Sequence, residues 1–216
     1  MRGATAPPDR VWRLGHRNAP LDFIPLELCG WQHRWDDPRR AYRTLYCAQD
    51  AITCLREVLA DLRPNTEMLA ELEELFGPDA ALSEAAGAVT EQWRTQRVLA
   101  PATLVLDGAL VDVDDPKVRI ALERTHAALL AQHGMAHLDI SEVRSRTRTV
   151  TQRIGRALYE DGAAGVRFGS NLDDRPCIAV FEARGRLIVA TGQPPLALTT
   201  DLAILVEVCA EYGLRL

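Results

Sequence analysis

The chain has 216 residues, a formal net charge of −5, and is 47% hydrophobic and 25% charged. That is the composition of a globular domain long enough to bury its own core, and it excludes both a wholly disordered chain and a small scaffold held by disulfides. No apolar run approaches the roughly eighteen residues of a bilayer span, and the negative charge gives no global case for nucleic acid, so neither a membrane nor a nucleic acid is expected as partner.

Residues 1–8 lack the apolar stretch of a secretory signal, which points to the cytoplasm. Lys117 is the only lysine; every other basic side chain is an arginine, the mark of a GC-rich genome rather than of a special phosphate-binding surface. The cysteines (Cys29, Cys47, Cys54, Cys177, Cys209) are odd in number and form no CxxC pair, so they imply neither a zinc site nor a disulfide framework. Reduced thiols are expected, with Cys54 and Cys209 in apolar helical patterns acting as small hydrophobes.

Residues 1–10 are polar and Pro-rich and read as a flexible N-terminus, with 11–216 as one domain. Residues 11–14 form a first short strand. Residues 15–41 have no clear period and contain Pro20, Pro25, Gly30, Pro38 and the cluster His33-Arg34-Trp35. An ordered loop of that length is uncommon unless it has a task. Residues 44–47 read as a buried strand, and Asp50 is a good N-cap for a helix over 51–62, where Ile52, Leu55, Leu59 and Leu62 make one apolar stripe. Glu57 lies off that stripe, on the side shared with Cys54 and Asp61. A new helix follows Pro64 and carries Leu69, Leu72 and Phe76 until Gly77-Pro78 stops it, with a further short helix over 83–88. The acidic segment 67–91, including Asp79 and Glu84, reads as an exposed helical insertion.

Strands at 103–106 and 109–112 flank Asp107-Gly108, a strong two-residue hairpin signal. Helices are expected over 116–132 and 149–159. Gly162 and Gly165 interrupt the chain before a strand at 166–168, and further strands cover 177–181 and 187–190. Thr200 caps a last helix through Leu202, Leu205, Val206 and Cys209, ended by Gly213. Strands separated by irregular loops and unequal helices do not make regular βαβ units. The expected architecture is α+β: a small sheet core embellished by helices within 64–98 and 116–160.

No GxGxxG, Walker loop, HExxH or GxSxG occurs, and the five histidines show no metal-ligand spacing with a suitable carboxylate, so no metal is expected. The informative segment is 11–59, which offers Arg13 on a strand, Arg34 beside Trp35, Tyr46 on a strand and Glu57 on a helix. Each alone reads as a solvated charge or a core aromatic.

Together they resemble a family. Gly30-Trp31-Gln32-His33-Arg34-Trp35, then Thr44-Leu45-Tyr46-Cys47, then the helix reaching Arg56-Glu57-Val58, is similar to the RES-domain pattern of GGRW, a strand tyrosine and a helix Glu-Val. Gly165-Val166-Arg167-Phe168-Gly169-Ser170 and Ala179-Val180-Phe181-Glu182 resemble that family's serine-bearing strand–loop–strand. The likeness spans about 11–183 and departs from the pattern in the bulkier Gly-Trp-Gln-His-Arg turn and at Arg56.

The resemblance implies an ADP-ribosyltransferase-like fold and an NAD-consuming bacterial toxin, with NAD as substrate and no metal. It assigns Glu57, Arg34 and Ser170 as catalytic. Arg13 and Arg34 would grip the pyrophosphate, Tyr46 would stack on nicotinamide, and Ser170 would bond a ribose hydroxyl or the amide. Glu57 would stabilise an oxocarbenium-like state. The implied partner is a helix-turn-helix antitoxin. Self-association into a homo-oligomer stays open, as does the acceptor: water or phosphate, a host protein (as in an ADP-ribosyltransferase), or none, in an inactive nucleotide-binding relative.

Overall fold

A computed structural model describes residues 3–77 and 87–216. The strands are β1 (Ala4–Thr5), β2 (Val11–His16), β3 (Thr44–Ala48), β4 (Arg97–Leu106), β5 (Ala109–Asp112), β6 (Ala163–Gly169), β7 (Pro176–Phe181), β8 (Gly185–Val189) and β9 (Leu196–Ala197). The helices are α1 (Ala51–Leu59), α2 (Thr66–Phe76), α3 (Glu91–Thr95), α4 (Pro116–Thr125), α5 (Ala127–Gln132), α6 (Ile140–Val143), α7 (Thr149–Glu160) and α8 (Ala203–Tyr212). All nine strands join one sheet in the order β1-β5-β6-β7-β3-β2-β4-β8, with β9 added beside β4. Among the described strands only β5 and β6 run parallel, joined by the helical crossover α4–α7. The α+β class expected from the sequence is the architecture observed.

The sheet curls. Its inner face carries Val11, Leu45, Cys47, Ala102, Leu104, Leu110, Ile178, Val180 and Leu187 as one buried cluster. The helices divide the outer side: α4, α5 and α7 pack around Trp35, Val113, Val150, Ile154 and Phe181, while α1 and α8 pack around Leu55, Leu59, Leu99, Leu205 and Val208. The stripe read on α1 is real, since Leu55 and Leu59 are fully buried and Ile52 and Leu62 pack against the same cluster.

Several expectations are corrected. Asp107-Gly108 does not close a hairpin: β4 pairs β2, β8 and β9, whereas β5 pairs β1 and β6. The Asp107 N–H donates to the Arg184 carbonyl at 2.7 Å, and of the two turn residues Gly108 alone has positive φ. A type I′ turn needs both, so the dipeptide makes a corner at which the chain leaves one part of the curled sheet for another. The segment 1–10, read as loose, is tied at Ala4–Thr5 to Leu110 and Val111. The helix expected over 116–132 breaks at His126 into α4 and α5, and Thr200 does not cap α8, which begins after Leu202. Gly213 ends α8 in a left-handed conformation, as expected. The helix read over 83–88, and Asp79 and Glu84, fall largely or wholly outside the described residues.

Gly165 interrupts nothing: it is a buried position within β6. A Cβ there would stand 2.5 Å from the Ala179 carbonyl oxygen on the neighbouring strand. Gly165→Ala is therefore expected to lower stability by about 1–3 kcal/mol through overpacking, measured as the urea midpoint.

Candidate functional site

The site begins as a failure of pairing. β2 and β3 are neighbours, yet they meet only at Trp12↔Ala48, while β2 continues its full ladder with β4 and β3 its full ladder with β7. Past that point the two strands part. The Leu14 amide, left without a strand partner, donates to the Cys54 Sγ of α1 at 3.2 Å. The gap is a cavity of about 360 Å³, walled by Arg13, Leu14, Tyr46 and Cys47 from the parted strands and by Cys54, Glu57, Val58 and Asp61 from α1 and its extension; Ile24, His33, Arg34, Arg148 and Phe168 complete it. That size suits part of a nucleotide ligand.

The loop over the gap is held by two buried aspartates. The Asp36 carboxylate accepts from the Tyr46 hydroxyl at 3.0 Å and from the His33 amide at 2.8 Å. The Tyr46 oxygen in turn accepts from the Trp35 amide at 3.0 Å. Asp37 accepts from the Arg39 and Ala41 amides and pairs with Arg156 of α7 at 3.1 Å. These bonds satisfy charges that would otherwise be costly to bury, and they set Trp35 into the core and Arg34 at the wall.

Four of the five side chains singled out in the sequence line this one cavity. Glu57 is exposed to it and makes no ion pair among the described residues. Tyr46 presents its ring, tilted against His33 at 5.3 Å between centroids, and burial raises its hydroxyl pKa well above the usual range, with Asp36 adding to the effect. Arg13 is buried on β2; it donates to the Pro20 carbonyl at 2.8 Å, and its Nε has no partner. Gly15 permits that approach, since a Cβ there would lie 2.1 Å from the Pro20 oxygen.

Arg34 and Ser170 depart from expectation. The Arg34 guanidinium gives three of its donors to the chain itself, at the carbonyls of Val143, Arg144 (3.0 Å) and Ser145 (2.9 Å). It lines the cavity while clamping the 143–145 segment. Ser170 is 1% exposed and is not among the residues lining the cavity. Its Oγ accepts from the Leu172 amide at 3.0 Å and its amide donates to the Arg175 carbonyl at 2.9 Å, so it closes the β6–β7 turn. A buried hydroxyl needs such a partner, and here the turn supplies one.

Sequence reasoning missed Arg148 and gave no role to His33 or Asp61. His33 stood beside Arg34 in the motif, and Asp61 on the Cys54–Glu57 side of α1; nothing in local spacing marks Arg148. Arg56, a departure from the resemblance, bonds Asp173 at 3.1 Å and Glu211 at 2.8 Å, tying α1 to the β6–β7 turn and to α8. A more open hollow of about 430 Å³ around His133, His137, Asp139 and Glu142 gathers no comparable convergence of cations. Among the described residues no cluster of His, Cys, Asp and Glu could hold a metal ion, and no helix is long and apolar enough to cross a membrane.

Comparisons with known proteins bear on the family and the fold. A family model described as RES domain matches residues 10–201. Among solved structures the chain is similar to one titled as the crystal structure of the M.tuberculosis MbcT-MbcA toxin-antitoxin complex, with a TM-score of 0.51 and 17% identity, over 97% of this chain and 93% of that one. At that identity the likeness is one of fold. No curated protein matches the chain.

Three thiols line the cavity, but burial keeps them protonated: Cys54 is pushed up to about 12, and Cys47 and Cys177 are also raised far above the usual thiol range. Nucleophilic sulfur needs the thiolate, so these side chains are inert wall. Iodoacetamide at pH 8 on the folded protein should label Cys29, the half-exposed thiol, and leave Cys47, Cys54 and Cys177 unlabelled by peptide mass analysis.

Proposed function

The chain belongs to the RES-domain family, and from that premise we propose that it is the toxin of a toxin–antitoxin pair and degrades NAD by cleaving the nicotinamide–ribose bond. The observation that carries this reading is Glu57, a carboxylate with no ion-pair partner among the described residues, in a cavity whose lining also includes Arg13, Arg34, Arg148 and the ring of Tyr46. A carboxylate without a partner, set among cations, is available to a charge that develops during reaction.

In the cleavage the C–N bond between ribose and nicotinamide breaks, and its electron pair goes to the ring nitrogen. The pyridinium cation thereby leaves as neutral nicotinamide. The ribose C1′ becomes electron-poor, and Glu57 stabilises that oxocarbenium-like carbon until the oxygen of water or phosphate bonds to it. With water, the proton released passes to solvent. The leaving group needs no protonation, so a single carboxylate suffices where ordinary glycoside cleavage calls on two. The face of Tyr46 supports the flat nicotinamide ring, and the buried Arg13 lends positive charge to the phosphate side.

NAD is a cytoplasmic pool, and an enzyme that drains it in its own cell requires restraint. We place the protein in the cytoplasm with a protein antitoxin of helix-turn-helix type that covers the cavity mouth. Expression without that partner should be toxic.

Because Glu57 lies off the buried stripe of α1, Glu57→Gln should fold and melt as the wild type does. Its rate of nicotinamide release from NAD, followed by chromatography, should fall by about 10²-fold or more. Wild-type turnover in that variant overturns the assignment.

A further inference from the structure

We propose that Arg148 is the side chain that recognises the substrate's diphosphate in this cavity, and that Arg34 is a positioning residue that fixes the 143–148 segment bearing it. The ligand class rests on the NAD reading; the division of labour between the two arginines rests on the hydrogen bonds.

A guanidinium has five N–H donors. Arg34 gives three to the carbonyls of Val143, Arg144 and Ser145, consecutive residues of one segment. Those three bonds anchor the segment and leave Arg34 two donors, against four left on Arg148. Arg148 follows three residues later, lines the same cavity, is exposed to it, and gives one contact, to the Gln32 carbonyl. Its remaining donors are open. Arg13 completes the cationic wall with a buried Nε that has no partner. None of the three arginines is ion-paired among the described residues, although Arg43, Arg56, Arg144, Arg156 and Arg167 all are.

The surroundings of Arg148 also ask for an anion. It is the N-cap residue of α7, a twelve-residue helix with no acidic residue in its first turn and no side-chain cap. The positive end of the helix dipole thus meets a cation, where an acidic or capping side chain would be the stabilising choice. Arg34 feels the same crowding: burial chiefly, and then the neighbouring Arg148 charge, lower its pKa, with Glu57 pulling the other way. A diphosphate in the cavity would give Arg148 an anionic partner in bidentate geometry, with the Arg13 charge in the same lining. Glu57 and Asp61 line the α1 side of the same cavity.

The test is calorimetric titration of the full chain with ADP, adenosine and inorganic phosphate. ADP should bind the wild type, and Arg148→Gln should weaken it about tenfold or more. Adenosine should bind both forms alike, and Arg146→Gln, a nearby arginine outside the cavity, should bind ADP as the wild type does. Arg34→Lys should weaken ADP as well, and Arg34→Lys with Arg148→Gln should be no worse than Arg148→Gln alone, because Arg34 acts through Arg148. Additive losses in the double variant overturn the positioning role. Equal ADP affinity in wild type and Arg148→Gln, no ADP binding by the wild type, or a loss confined to inorganic phosphate overturns the diphosphate site. Nicotinamide release is measured separately, so ADP binding through Arg148 without NAD cleavage supports this site while contradicting the proposed activity.

Discussion

The parting of β2 from β3 beyond Trp12↔Ala48 is the constraint on which the site depends. A sheet that zipped shut there would pair Arg13 to His16 with Cys47 to Thr44 and leave no cavity. Each parted strand keeps its other neighbour, so the sheet loses only the bonds across the gap. One orphaned amide, on Leu14, is met by a cysteine on α1. The helix that carries Glu57 is therefore docked against the split itself, which places that carboxylate in the same cavity as Arg13 of β2.

Buried charge is used in two ways around this gap. Asp36 and Asp37 are saturated by backbone amides, by the Tyr46 hydroxyl and by Arg156, and they hold a long loop in one conformation. Removing one partner of such a set is destabilising because the other remains buried. Glu57, Arg13 and Arg148 are the opposite case, with donors or acceptors left open in one cavity. Of the three only the Arg13 Nε is buried without a partner, while Glu57 and Arg148 are exposed and open to a ligand.

Legibility in the sequence followed the range of the interactions. The α1 stripe and the off-stripe side of Cys54, Glu57 and Asp61 are periodic features of ten residues, and they stand as read. The Asp107-Gly108 turn is equally local but misleads, because the long ladder of β4 with β2 and the curl of the sheet outweigh the preference of two residues. Gly165 reads locally as a breaker and is instead required by the closeness of β7. The family resemblance singled out Arg34 and Tyr46, which both line this cavity, but not Arg34's bonds to carbonyls more than a hundred residues away. Ser170 was placed in the correct strand–loop–strand and is claimed by its own turn. Arg148 had no local mark at all, since only the tertiary fold carries the start of α7 to the loop at Gln32.

The central claim is that the gap between β2 and β3 is the NAD site. The most direct measurement is a crystal structure of the chain with an NAD analogue whose nicotinamide–ribose bond cannot break. The account predicts the ribose C1′ against the Glu57 carboxylate, the nicotinamide on the face of Tyr46 and the diphosphate on Arg148 and Arg13. An analogue seated in the hollow around His133 and His137, or bound with Glu57 turned away from the ribose, would contradict it.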